Sequence, residues 1–169
     1  MHGTWKRPIS NMPQAFQSYK PRYMQVYGSI VINESGEVLL VYGRRSNKWS
    51  FPKGHCKEKE TDLECAKREL LEETGVVIHT PYTSYHKLKG GSYFVFPVSG
   101  EININTTDFR EIQSVKWWPL NALPITDSNV DVSIFRTLMR NIPSEEYANE
   151  FIDSKEGHKK ISNITKRIQ

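Results

Sequence analysis

The sequence predicts an α/β sandwich, and three observations carry that reading. β-Rich runs recur on both sides of one strongly marked helix, Thr61 to Gly75. A second segment, Asn129 to Asn141, places Val132, Phe135, Leu138 and Met139 at helical spacing. The first two β-rich runs are separated only by Asn33-Glu34-Ser35-Gly36, a turn sequence, so they read as a hairpin. At 169 residues the chain has the length of one domain, and 11% aromatic residues supply bulk for its core.

In chain order, residues 1 to 22 carry Pro8, Pro13 and Pro21 among Trp5, Phe16 and Tyr19 without periodicity, and read as an irregular arm. Val26 to Ile32 and Val38 to Tyr42 are the hairpin strands. Gly43 to Lys48 is a basic loop, and Trp49 to Phe51 leads into Pro52-Lys53-Gly54, expected to be a tight loop. The central helix opens on Thr61 with Glu64 three residues on, a capping box, and closes on Gly75. Val76 to Ile78, Tyr82 to Leu88, Tyr93 to Val98 and Ile102 to Ile104 read as strands, with Gly90-Gly91 a turn and Pro97 placing its strand at an edge. Glu111 to Trp117 alternates as a strand, and Leu120 to Leu123 is a short helical turn. Ser128 is the expected N-cap of the second long helix. Glu145 to Asp153 reads as a further helix, and the basic tail sets Ile161, Ile164 and Ile168 at helical spacing. The expected organisation is an irregular arm over 1–22, a main folded domain over 23–143 and a helical basic extension over 144–169.

Composition narrows the function classes. No apolar run approaches the ~18 residues of a membrane-spanning helix, and no apolar stretch follows Lys6 and Arg7, so neither a membrane anchor nor a secretory signal is expected. Cys56 and Cys65 both fall in the central stretch. Cys65 is expected to be a small core hydrophobe, the two are expected not to be bonded, and a cytoplasmic, reducing setting follows. A net charge of +4 permits a polyanionic substrate.

The chemistry is concentrated on the central helix. Glu69, Glu72 and Glu73 stand at i, i+3 and i+4, on one face. Like charges at that spacing destabilise a bare helix, so the pattern points to a neutralising cation. Carboxylate oxygens suit Mg2+ or Mn2+. Arg68 can reach Glu72 one turn on.

Gly54, Glu60, Arg68, Glu69, Leu70, Glu72, Glu73, Gly75 and Val76 match every fixed position of the Nudix signature. The chain therefore resembles the Nudix hydrolases. The resemblance implies an α/β/α sandwich with a mixed central β-sheet, and metal-dependent cleavage of a pyrophosphate link. It implies metal ligation by Glu69, Glu72, Glu73 and the Lys53 carbonyl, with Glu60 serving the same cluster and Arg68 orienting it.

Trp49-Ser50-Phe51-Pro52-Lys53-Gly54 resembles the Trp-Gly-Phe-Pro-Lys-Gly run of mRNA decapping catalytic subunits. Arg110-Glu111-Ile112 with Val115, Trp117, Leu120, Leu123 and Pro124 resembles the segment closing that catalytic domain. That resemblance implies Glu111 as catalytic base or extra ligand, and capped RNA as substrate. Decapping enzymes carry a helical regulatory domain ahead of this fold, so docking by such a domain is expected to be absent or supplied by a partner. Pro52-Lys53-Gly54-His55 and Thr61 to Glu64 are similar to diadenosine tetraphosphate hydrolases, and diphosphoinositol polyphosphate hydrolases are a third branch. A catalytically silent nucleotide- or RNA-binding module is the alternative of another class. Arg44, Arg45, Lys48, Lys53 and Lys57 are candidates to hold substrate phosphates, and the basic tail is a further candidate for RNA contact. Tyr93, Phe94, Trp117 and Trp118 offer one or two rings for stacking on a base.

Overall fold

The computed structural model describes residues 21–139. The arm ahead of it, the helix expected over 145–153 and the basic tail lie outside the described residues. Strands β1 (Val26–Ile32) and β2 (Glu37–Gly43) form the predicted hairpin. Its turn is held by Asn33, whose side-chain oxygen accepts from the amides of Ser35 and Glu37 at 3.0 and 2.9 Å. Short β3 (Trp49–Ser50) and β4 (Lys53–His55) lead into helix α1 (Asp62–Thr74). Strands β5 (Ser84–Lys87), β6 (Ser92–Pro97) and β7 (Ile112–Pro119) follow, then a helical turn over Leu120–Ala122 and helix α2 (Val130–Met139).

The sheet is mixed. It runs β3-β2-β1-β6-β5, with β6 parallel to β1 and the other pairs antiparallel, while β4 adds to β1 and β7 to β2. Helix α1 covers one face through Ala66 and Leu70, against Val31, Leu39, Phe94 and Phe96. Helix α2 covers the other through Val132, Phe135 and Met139, against Ile30, Leu40, Phe51 and Tyr93. The strand alternation decides this: successive residues of β1 and β6 serve opposite cores. The result is the α/β/α sandwich with a mixed sheet.

One irregularity makes room for a site. β1 pairs with β2 only at the hairpin end, Ile32 with Val38. Towards its other end, Val26 to Gly28 pair instead with β4, while β2 pairs along its length with β7. The sheet is divided there, and the open ends of β1 and β2 border a cavity.

Several local expectations differ from the structure. Pro52-Lys53-Gly54 is not a free tight loop, because Lys53 to His55 are strand β4 on β1. Val76 to Ile78 and Ile102 to Ile104 are irregular. Val76 and Ile78 bury their side chains against the α1 face without a neighbouring strand to pair, so apolarity there reflects packing alone. β6 is interior to the sheet, and Pro97 is tolerated because it is the strand's last residue. Asn129, not Ser128, caps α2: its side-chain oxygen accepts from the Val132 amide at 3.0 Å, while Ser128 donates to the Pro124 carbonyl at 2.6 Å.

The largest correction concerns the cysteines. Cys56 and Cys65 form a disulfide, with Cα atoms 5.3 Å apart. Pairing of β4 with β1 folds the chain after His55 back over the start of α1, which brings the two Cα atoms within bridging distance. Cys65 is indeed fully buried. The expectation of a reducing setting, which rested on unbonded thiols, loses that support. Among the described residues no helix is long and apolar enough to cross a membrane.

Candidate active site

Helix α1 carries the acidic face. Its capping box is complete: Thr61 Oγ1 accepts from the Glu64 amide at 3.2 Å, and Glu64 accepts from the Thr61 amide at 2.8 Å. Gly75 ends the helix at φ 75°, where a side chain would be strained and would also meet the Asn105 backbone. Gly54 matters for another reason. A Cβ there would displace the Glu69 carboxylate from its place beside Arg68, so glycine lets β4 and that carboxylate share the space.

Arg68 organises the face. Its guanidinium pairs with Glu60, with Glu69 at 2.7 Å and with Glu72 at 3.0 Å, and donates to the His55 carbonyl at 3.0 Å. Hydrogen bonding to Glu60 is the main cause raising the Arg68 pKa, and the same bond holds Glu60 below the usual carboxylate range. Glu60 also accepts from the Lys57 amide at 2.9 Å. Burial pushes Glu69 up, with Arg68 opposing. Glu73 is only 6% exposed, and its Oε2 accepts from the Lys53 amide at 3.1 Å. Burial, then the charge of Glu69, raises its pKa well above the ordinary value.

These groups border a cavity of about 480 Å3 at the divided end of the sheet. Glu69, Glu72 and Glu73 line one side and Glu111 another, with Arg45 and Lys53 among the cations. Glu60 does not line it, being held by Arg68. Lys48 and Lys57 are exposed and do not line it. Arg44 is engaged in structure: its amide donates to the Glu111 carbonyl at 2.7 Å and its Nε to the Phe109 carbonyl at 3.2 Å. Glu111 lies in the turn just before β7 rather than in the strand. Tyr93 and Phe94 are buried in opposite cores, and Trp117 and Trp118 pack against them, so none of these rings lines the cavity. Asp108 does line the cavity, and sequence reasoning passed over it. The available signal was its position three residues before Glu111, the spacing at which an aspartate captures a backbone amide.

The described chain matches the NUDIX domain family over residues 22–138. The chain is a member of the Nudix family. Curated relatives include the m7GpppN-mRNA hydrolase of Saccharomyces cerevisiae, 29% identical over 80% of this chain and 15% of that protein. The mRNA-decapping enzyme subunit 2 of Arabidopsis thaliana is 46% identical over 72% of this chain and 35% of that protein. This Nudix chain thus spans a minor part of these decapping relatives. A C. elegans Ap4A hydrolase shares the fold, with a TM-score of 0.54 and 22% identity over 69% of this chain and 93% of that one.

Divalent metal is general to Nudix hydrolases, and the donor chemistry here fits it. Glu73 is a buried carboxylate beside further carboxylates, an arrangement a hard cation would neutralise. The only described trio of His, Cys, Asp or Glu with ligand atoms within 4.8 Å of one another is Cys56, Glu60 and Cys65, whose cysteines are bonded together. The α1 glutamates stand wider, with the Arg68 guanidinium bridging Glu69 and Glu72.

Proposed function

We propose that residues 23–143 form a Mg2+- or Mn2+-dependent pyrophosphohydrolase acting on the 5′ cap of RNA. The products are 7-methyl-GDP and a 5′-monophosphate RNA, so the bond broken joins the middle phosphate to the one on the RNA's 5′ oxygen. The observation that carries the hydrolytic reading is buried Glu73 sharing one cavity with Glu69, Glu72 and Glu111. The mRNA-hydrolase and mRNA-decapping relatives of yeast and Arabidopsis support a capped substrate. An mRNA substrate also favours an intracellular setting.

Glu69, Glu72, Glu73 and the Lys53 carbonyl would hold the metal. Bound there, it supplies charge neutralisation and a more acidic water. Glu111 accepts the proton of the attacking water. Arg68 holds Glu69 and Glu72 in place, and Glu60 acts on the site by fixing Arg68. Arg45 and Lys53 meet the phosphates in the cavity. Lys48, Lys57 and Arg44 lie outside its lining, where exposed Lys48 and Lys57 suit a chain extending beyond the cap.

A side-by-side assay tests this: cap-labelled RNA, free cap dinucleotide, diadenosine tetraphosphate and a diphosphoinositol phosphate, each with and without chelator. Preference for long capped RNA, abolished by chelator and cut sharply by Glu111→Gln, is expected. Best turnover of diadenosine tetraphosphate would reject decapping and leave pyrophosphate hydrolysis standing. No turnover of any of them would favour the silent binding module.

A further inference from the structure

Glu111 sits in a turn, outside regular structure, and a turn by itself does not hold a side chain against a helix. Something must locate it. The segment just upstream is bound to the last turn of α1, where helix carbonyls lack partners of their own. The Glu72 carbonyl accepts from the amides of Thr107 and Asp108 at 3.1 and 3.2 Å, and from the Thr107 hydroxyl at 3.2 Å. The Asn105 amide reaches the Thr74 carbonyl at 2.8 Å. Asp108 is the last residue of this anchor. Its side-chain Oδ1 then accepts from the Glu111 amide at 3.2 Å, and its carbonyl accepts from the Ile112 amide at 2.9 Å as β7 begins.

We propose that Asp108 is a positioning residue, tying the Glu111 backbone to the Glu72 end of α1 and thereby setting where the Glu111 carboxylate stands in the cavity. The inference rests on Glu111 being the catalytic base. Asp108 touches both halves of the site: its amide donates to the Glu72 carbonyl of α1 and its side chain accepts from the turn, each at 3.2 Å. It acts through the Glu111 amide, so an uncharged acceptor of the same shape should serve. Arg44 holds the Glu111 carbonyl at 2.7 Å from the β2 side, so loss of the Asp108 acceptor leaves the turn attached to β2 but loosened from α1, and a misplacement of about 1 Å can cost on the order of 10²-fold in rate.

The test measures kcat and KM on cap-labelled RNA, and on diadenosine tetraphosphate, with full-length protein. Asp108→Ala should lower kcat roughly 10- to 100-fold with KM little changed. Asp108→Asn, which keeps the acceptor oxygen, should restore most of the rate. The Asp108→Ala/Glu111→Gln double variant should be no slower than Glu111→Gln alone, since residues acting as a unit are not additive. If Asp108→Ala does not fold, Asp108→Glu carries the comparison: it keeps the charge but displaces the acceptor, so kcat should fall while Asp108→Asn stays near wild type. Wild-type kcat in the Ala or Glu variant, an Asn variant as slow as the Ala or Glu one, or full additivity with Glu111→Gln would each overturn the inference. Glu111→Gln with undiminished activity would instead remove the base assignment beneath it.

Discussion

At the scale of single residues, Glu73 combines two roles that oppose each other. Its charge suits a metal, yet burial and Glu69 disfavour that charge, so its pKa lies well above the ordinary 4.5. The folded chain then binds more protons than the unfolded chain once pH exceeds that ordinary value. Stability contributed by Glu73 is therefore greatest at low pH and declines as pH rises through the raised folded pKa. Glu73→Gln keeps an acceptor for the Lys53 amide and removes the charge. Without added metal, its Tm at neutral pH should exceed wild type, and the decline of Tm with pH should flatten. Activity should fall by on the order of 10²-fold or more, as for loss of an electrostatic stabiliser. Thermal melts across pH, beside initial rates, read both effects; an active variant of unchanged Tm would remove Glu73 from the site.

At the scale of elements, the loop between β4 and α1 is held at two points. Arg68 grips Glu60, and the Cys56–Cys65 disulfide joins the end of β4 to the helix. The bond spans nine residues of sequence, so it closes a short loop in the unfolded chain as well. Chain-entropy arithmetic for a loop of that size gives a stabilisation of about 2–3 kcal/mol. Reduction, or Cys56→Ser with Cys65→Ser, should lower the unfolding free energy by that order in denaturant titrations. Unchanged stability on reduction would mean that the Arg68 contacts hold the loop unaided.

At the scale of the whole molecule, the prediction concerns reach. On the proposed reading the cavity takes a cap's phosphates, and an RNA would extend past it. Lys155, Lys159, Lys160, Lys166 and Arg167 form a basic run in the tail, outside the described residues. Deleting 144–169 should weaken capped-RNA binding and flatten its salt dependence while sparing cleavage of free cap dinucleotide. Equal loss on both substrates, with a lowered Tm, would assign the tail to folding instead.

The sequence by itself determined what is encoded over a few turns of chain. Glu69, Glu72 and Glu73 share a face because the helix repeats every 3.6 residues, and Thr61, Glu64 and Gly75 mark that helix's ends by their own hydrogen bonds and backbone freedom. The α/β sandwich was likewise readable from β-rich runs on both sides of that helix, whereas which core each residue of the hairpin and β6 serves was decided by the tertiary structure. Contacts between distant segments were decided only by the tertiary structure. Cys56 meets Cys65 because β4 adds to β1, and Arg44 is spent on the Glu111 turn because that turn closes over the end of β2. Val76 to Ile78 have the apolarity of a strand and no strand beside them. Asp108 joins α1 to β7 through the Glu72 carbonyl, 36 residues earlier in the chain. No propensity reports such a pairing: it exists only once the sheet has divided and both cores have closed around it.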